Sequence, residues 1–405
     1  MRILVVAPTP FFSDRGTHIR ILEEALALEK IGHEITIATY HIGKDIHKEI
    51  ETKIDVRRIL RLLFWYKKTE AGPDWQKIIL DMMLIRKTFF LARTQRPDII
   101  HGHLHEGVLI GWIVQKILFW RKIKLVADFH GSLVGEMVSH RYLKRGLRML
   151  FIPIEKFINR LGDFAITSSW EMTSELEKTR KDGKIETVLD GVNLDSFSLK
   201  KTKEEIKKEW ELPVDKFIVG YTGGLVNNKG INYFLDSILL TLRENKNIFF
   251  VIGGFPAEHV ERFIKEKEIS QENARLISPL DYFKLPELLS CCDVAVDPKD
   301  ASVNQASGKM LGYMAAGLPI VCFDKINNRK YLGEGGYYCD SINSEAITQG
   351  IFYFLDNPSE QIKKREINKK NANNFSWKIS AEKINIIYNK IQNVKNEPGK
   401  NQALS

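Results

Sequence analysis

A chain of 405 residues is long enough for about two domains and buries full cores without needing disulfides. Its 44% hydrophobic and 27% charged residues are those of an ordinary globular protein, which excludes a small disulfide-framed module. A net charge of +9 and a pI near 9.1 leave nucleic acid, anionic lipid or a phosphorylated substrate as partners for a basic surface.

The chain opens with an apolar β-branched run, Ile3 to Ala7, closed by Pro8 and Pro10. That pattern predicts a buried parallel strand followed by a loop. In the helix that follows, Ile19, Leu22, Leu26 and Ile31 recur at helical spacing, and Gly32 stops it. His33 to Tyr40 is the second strand, so the start is a βαβ unit. Further strand ends fall at 97–101, 124–130, 164–169 and 186–189, with a helix capped at Ser168 or Ser169. Near Pro213 the pattern restarts. Phe217 to Gly224 is a strand ending in glycines, and 232–243 is its helix. Strands at 249–254, 275–277, 294–296 and 320–323 complete the series. Alternating strands and helices, twice over, predict two doubly wound Rossmann-like domains. The first is expected over 1–197 and the second over 198–377, with a polar, disordered tail at 393–405.

The opening apolar run is too short for a signal peptide. No stretch reaches the roughly 18 apolar residues of a membrane span. The expectation is a cytoplasmic chain. The four cysteines, Cys291, Cys292, Cys322 and Cys339, sit in apolar surroundings with no C-x-x-C, so they read as core.

Ligands of doubly wound sheets bind outside the carboxyl ends of the strands, so the cleft between two such domains is the expected site. Three segments could serve it. The loop Ser13 to Thr17 carries Gly16 before a helix, where backbone N–H groups can meet a phosphate; a plain turn explains it equally. G-x-G-x-x-G is absent, which argues against a nicotinamide enzyme. In Tyr221 to Gly230, Gly223 and Gly224 end a strand and Lys229 offers a point charge to a diphosphate, the alternative being an exposed turn lysine. In Asn304 to Val321, Ser307, Gly308 and Lys309 open a helix and could cradle a phosphate or a sugar hydroxyl. Walker A is excluded because Met310 stands where it requires Ser or Thr. His101, His103 and His105 alternate along a strand, so all three should share one face. They could hold zinc, but beside Gly102 and Gly107 at a strand end they read rather as cleft-lining residues.

These segments, taken together, resemble glycosyltransferase family four, which has the GT-B fold. Asp14 to Arg20 with Leu26 to His33 resembles its N-terminal donor-facing loop and the helix ending in G-H-E. Asp190-Gly-Val-Asn resembles the N-G-V-D turn, Gly223 to Gly230 the G-x-L…K-G loop, and Met314 to Val321 the stretch after the paired glutamates. Phe375-Ser-Trp377 resembles the F-S-W before the C-terminal helix that crosses back to the first domain, here 378–392. The resemblance spans residues 1 to about 392.

It implies a retaining, metal-independent hexosyltransferase-type transfer from a UDP- or GDP-linked sugar, with no cofactor beyond that substrate. No Asp-x-Asp occurs to hold a divalent ion. Lys229 matches the family lysine that stabilises the departing phosphate. Gly224 stands where the family has an arginine, and Lys309 is the candidate to replace that charge. Asn304, or Gln305 with a one-residue shift, occupies the first site of the family's E-x7-E pair, and Gly312 the second. An amide still bonds sugar hydroxyls; Gly312 offers only backbone. His130, in Asp128-Phe-His-Gly-Ser, matches a family histidine near the reacting sugar and is expected to position hydroxyls. Glu136, His103 and His105 are placed on the acceptor side.

Three stretches, 57–68, 116–124 and 141–148, mix cations with apolar and aromatic residues and contain no acid. Such segments suit an anionic inner leaflet and a lipid-linked acceptor, or else are core with a solvated cationic face. No nucleic-acid module is present. Two other readings compete: a nucleotide-sugar epimerase of the same fold, and a degenerate relative that binds without catalysing.

Overall fold

The computed structural model describes residues 1–67, 75–139, 145–299 and 307–393. The chain forms two compact units, one of residues 1–190 completed from Trp377 onward, the other of residues 191–376.

The first unit runs β1 (Arg2–Ala7), α1 (Gly16–Lys30), β2 (Glu34–Thr39), β3 (Asp55–Arg58), α2 (Trp75–Gln95), β4 (Ile99–His103), α3 (Leu104–Ile117), β5 (Lys124–Phe129), α4 (Leu133–Ser139), α5 (Arg145–Ile158), β6 (Phe164–Thr167), α6 (Trp170–Glu177) and β7 (Ile185–Thr187). The strands form one parallel sheet in the order β3-β2-β1-β4-β5-β6-β7. Side chains alternate across it with period two. Leu4, Val6 and Ile100 face α2 and α3, packing on Leu80, Leu84, Ile110 and Val114. His101 and His103 point the other way, toward α1 and the C-terminal helix. The sheet is thus covered on both sides, which is why β1 is apolar at every position from Ile3 to Ala7.

The second unit runs α7 (Lys203–Glu209), β8 (Phe217–Gly224), α8 (Ile231–Glu244), β9 (Ile248–Phe255), α9 (Glu258–Glu266), β10 (Ala274–Ile277), α10 (Leu285–Ser290), β11 (Val294–Asp297), α11 (Gly308–Ala315), β12 (Ile320–Phe323), α12 (Ile326–Leu332), β13 (Gly336–Cys339), α13 (Ser344–Asp356) and α14 (Pro358–Ala372). Its parallel sheet has the order β10-β9-β8-β11-β12-β13. Val219, Tyr221, Phe250 and Val296 pack against Phe234, Ile238, Ile351 and Phe354 of α8 and α13. All four cysteines are free and buried in this unit. The last helix, α15 (Trp377–Asn393), returns to the first unit and packs on α1.

The units part at Asp190 and Ser376, and the expected boundary at 197 lies seven residues further on. Val192 N–H donates to Phe375 O at 2.8 Å and pairs as a bridge with Ser376, which ties the segment after Asp190 to the second unit. The expected tail lies, apart from its first residue, outside the described residues. Two edge strands, β3 and β13, went unforeseen. β3 carries Arg57 and Arg58, whose charges masked the strand in the sequence. Arg58 donates to the carbonyls of Phe11, Ile42 and Lys44, so it braces loops. The buried stripe of α1 is also not the one the spacing gave. Ile21, Leu22, Ala25 and Leu28 are buried together with Arg20 and Glu24, while Ile31 is 37% exposed. Ser169, not Ser168, caps α6, accepting from Met172 N–H at 3.2 Å. Among the described residues no helix is long and apolar enough to cross a membrane.

Two glycines make opposite demands. Gly254 has φ +153°, and a Cβ there would lie 1.8 Å from Gly223 O. Gly16 opens α1, and a Cβ there meets nothing within 4 Å. Gly254→Ala should lower the thermal midpoint of the second unit, at a cost of at least ~2 kcal/mol. Gly16→Ala should leave or raise it, by up to about 1 kcal/mol. Differential scanning calorimetry of both variants checks the pair; equal effects would contradict the packing described.

Candidate active site

In the first unit, polar groups converge beneath the carboxyl ends of β4, β5 and β7. Arg20, one turn into α1, forks onto Asp128 of β5, with Nε 3.2 Å from Oδ2 and Nη2 3.2 Å from Oδ1. Its Nη1 donates to Asp190 at 2.7 Å and to Val188 O at 3.2 Å, and Nη2 lies 3.6 Å from Glu24. Arg20, Glu24 and Asp128 are all buried. Burial works against ionising Asp128, but Arg20, His130 and hydrogen bonds from His101 and His103 hold its carboxyl well below the usual range. Glu24 has weaker compensation. Burial pushes it up to about 7, and His101 and Arg20 only partly oppose this.

The histidines divide by element. His103 Nδ1 lies 3.0 Å from Asp128 Oδ2 and 3.1 Å from His130 Nε2, and His130 Nε2 lies 3.4 Å from Asp128. Burial and the neighbouring His101 lower His103 to about 3, so its ring is neutral. His101 Nδ1 meets the Tyr388 hydroxyl of α15 at 2.5 Å. His105 departs from this group. β4 ends at His103, α3 begins at Leu104 with φ +61°, and His105 is turned onto Asn159 at 3.1 Å. The expectation that all three share one face, with His105 toward an acceptor, is therefore corrected: a strand became a helix between them.

Glu24, His101, His103 and Asp128 bring ligand-type atoms within 4.8 Å of one another. The two imidazoles, however, stack at 4.5 Å with planes 11° apart. Their in-plane lone pairs run side by side rather than converging on one point, and Arg20 already faces both carboxylates. The geometry suits a hydrogen-bonded cluster better than a metal centre.

In the second unit, cations gather at the ends of β8 and β11. Gly223, at φ +125°, would put a Cβ 3.5 Å from Lys309 Cδ, and Gly224 would put one 3.6 Å from Lys229 Cγ. The two glycines thus make room for the two lysine stems. Gly230, at φ +78°, has its Cβ position 1.8 Å from Pro298 O, so this loop lies tight against the end of β11. Lys309, on the first turn of α11, has Nζ 3.1 Å from Asp297 Oδ1 and 3.8 Å from the Tyr221 ring centroid. Burial opposes ionisation of Asp297, but Lys309, Lys299 and the Ser307 hydroxyl lower it below its ordinary value. Lys299 is lowered to about 7, first by burial, then by Lys229, with Lys309 and Lys325 adding. Several cations and one buried carboxylate at two strand ends and a helix start can stabilise a diphosphate.

Of the expected donor residues, the structure brings together Lys229, Lys309, Gly223, Gly224, Ser307 and Gly308. Asn304 and Gln305 lie outside the described residues, as does the side chain of Glu136. Gly312 is corrected. It is buried within α11, its O accepts from Ala316 N–H, and its Cβ direction faces Leu289 and Leu285, so it packs rather than binds. Sequence reasoning missed Lys299, Arg20, Glu24 and Asp128. Lys299 was visible as a lysine two residues beyond a strand end. Arg20 and Glu24 were hidden because an i,i+4 ion pair ordinarily marks an exposed face.

Two Rossmann-like units, each with charged side chains gathered at the ends of its parallel strands, define the class as doubly wound α/β. The particular family follows from comparison. Residues 15–196 match the family "Glycosyltransferase Family 4", and residues 202–375 match "Glycosyl transferases group 1". The chain is a glycosyltransferase of this group 1 and family 4 type. It is similar to D-inositol 3-phosphate glycosyltransferase of Corynebacterium glutamicum, at 23% identity over 92% of this chain and 91% of the relative. It is also similar to the putative teichuronic acid biosynthesis glycosyltransferase TuaC of Bacillus subtilis, at 24% identity over 56% of this chain and 53% of that one. The fold matches that of the Anabaena protein HepE, solved in complex with UDP-glucose. The TM-score is 0.74 and the identity 13%, over 96% of this chain and 100% of HepE.

Because burial raises Glu24 from its ordinary 4.5 to about 7, the folded state binds a proton the unfolded chain releases in that interval. Its contribution to stability is therefore full below about 4.5 and is lost as pH rises through about 7. Glu24→Gln should flatten this part of the profile and gain on wild type toward pH 8. Thermal midpoints of both proteins across pH 4 to 8 test it; parallel profiles would reject the assignment.

Proposed function

We propose that this glycosyltransferase moves a sugar from a UDP- or GDP-linked donor, with retention and without a metal, onto a lipid-linked or cell-envelope acceptor at the inner membrane face. The observation that carries the donor reading is the convergence of Lys229 and Lys309 on the Gly223–Gly224 strand end, with Lys299 buried close by. Fixed cations and the start of α11 replace a divalent ion at the leaving diphosphate. The match to HepE, solved with UDP-glucose, supports a nucleotide-sugar donor. The similarity to a teichuronic acid enzyme supports an envelope acceptor. Retention rests on the family resemblance. His130, aligned by Asp128 and His103, positions a sugar hydroxyl and forms no bond to carbon.

A thermal-shift panel of UDP, GDP, ADP and their sugar conjugates identifies the donor. A nucleotide at about 100 times its Kd adds ~2.7 kcal/mol to the folded state. One nucleotide should stabilise selectively, and Lys229→Ala or Lys309→Ala should lower kcat by ~10²–10³-fold. A near-wild-type Lys309→Ala enzyme would remove that lysine from the mechanism. No shift with any nucleotide would favour a non-catalytic relative.

Lys299 supplies an independent check. A bound diphosphate raises its pKa from about 7, so binding at pH 8 should take up protons. Titration calorimetry in two buffers of different ionisation enthalpy measures that uptake, and Lys299→Met should abolish it. Uptake unchanged in the variant would place the proton elsewhere.

A further inference from the structure

Helices α2, α3 and α5 lie side by side on one face of the first unit's sheet. α2 and α3 share the core with Leu4 and Ile100, and Trp112 of α3 meets Phe157 of α5 edge to face at 5.7 Å. A helix layer of this kind should turn its polar side to water. This layer does the opposite. On α2, Trp75, Ile78, Met82 and Phe90 form an exposed stripe along the side opposite Leu80, Leu84 and Leu91. On α5, Met149, Leu150, Ile154 and Phe157 are exposed, Met149 at 76%. Just beyond α3, Phe119 and Trp120 are 73% and 58% exposed.

Apart from Leu60, Leu62, Phe64 and Trp65, in the segment whose Leu63 and Tyr66 join the core under α2 and α3, and Val138 of α4, the rest of the molecule provides the contrast. On the opposite face of the same sheet, the large apolar side chains exposed on α1 and α15 among the described residues are Ile386 and, at the end of α1, Ile31 at 37%. In the second unit the exposed ones are Val214, Phe255, Ile326, Ile342 and Ile362, with a single aromatic. Scattered residues of that sort need no explanation, whereas a layer of them does.

Charge indicates what covers the layer. Its exposed cations are Arg86, Arg93, Lys116, Lys122, Arg148 and Lys156. None of the acids on these elements is exposed. Asp81 is turned inward to accept from the Tyr40 hydroxyl at 2.6 Å, and Glu155 accepts from Ser132 Oγ at 2.8 Å. Trp and Phe rings with interleaved cations, stripped of acids, match a bilayer interface: rings enter the headgroup boundary and cations meet lipid phosphates.

We propose that the outer face of α2, α3 and α5 docks on an anionic lipid bilayer. This rests on the membrane clause of the proposed function and names the surface that clause requires. Flotation of the full-length protein with vesicles of phosphatidylcholine, with and without phosphatidylglycerol, tests it. Binding should need the anionic lipid and weaken with salt, and brominated acyl chains should quench tryptophan fluorescence. Trp75→Glu combined with Leu150→Glu should weaken binding by at least ~10-fold. Ile362→Glu and Ile386→Glu, on other surfaces, should leave it unchanged. Because all four positions are exposed, the folded state, followed by circular dichroism, should survive each change. Absence of flotation, or flotation indifferent to the Trp75 and Leu150 changes, overturns the proposal. So does a vesicle-free dimer, seen by analytical ultracentrifugation, that these changes dissolve. The nucleotide panel on the same preparation separates the two readings: a protein that is stabilised by a nucleotide but never floats loses this surface alone.

Discussion

A guanidinium buried among three carboxylates is the constraint on which the first unit is organised. Arg20 reaches from α1 to Asp128 on β5 and to Asp190 at the unit's edge, so one side chain joins elements far apart in sequence. Such a group adds little net stability, because desolvation consumes most of the Coulomb gain. What it does is fix geometry, since any arrangement that separates Arg20 from Asp128 leaves a buried charge unpaired. The ring orientations of His103 and His130 follow from it, as both lean on the Asp128 oxygen that Arg20 holds. Tyr388 of α15 joins through His101, which couples the last helix to the same cluster.

The second unit solves a different electrostatic problem with the same fold. Its strand ends gather lysines around one buried aspartate, so that positive charge exceeds its internal compensation. In the first unit, by contrast, Arg20 is outnumbered by carboxylates and the histidines are drawn to them. An excess of cations favours an anionic ligand, while a closed hydrogen-bonded network of imidazoles and carboxylates favours the orientation of hydroxyls. The proposed diphosphate site at the lysine-rich strand ends rests on this difference in charge balance rather than on the shared βαβ repeat.

Much of the architecture could be read from the chain because parallel strands buried on both faces leave continuous apolar runs. Ile3 to Ala7 and Ile320 to Phe323 are such runs, and each is a strand. Edge strands broke that rule. β3 contains Arg57 and Arg58, since one of its sides has no neighbouring strand and its side chains are half-covered. Site residues followed the same division. Lys229, Gly223 and Lys309 stood out because glycines and lysines at strand and helix ends are locally unusual. Arg20, Glu24 and Asp128 did not, because their significance depends on partners from other elements of the fold, Arg20 and Asp128 being 108 residues apart.

By itself, the sequence determined two α/β repeats and the glycine-marked strand ends, because those features are written in local periodicity and turn chemistry; the family came from the resemblance of its motifs. Tertiary structure alone decided which polar residues are buried together and which apolar ones are left outside. The turn from strand to helix between His103 and His105 separated two histidines that spacing had paired. The packing of α2, α3 and α5 turned Asp81 and Glu155 inward and left Trp75, Met149 and their neighbouring cations exposed. Local sequence sets which face a residue occupies on its own element, but only the placement of the other elements determines whether that face meets protein or solvent.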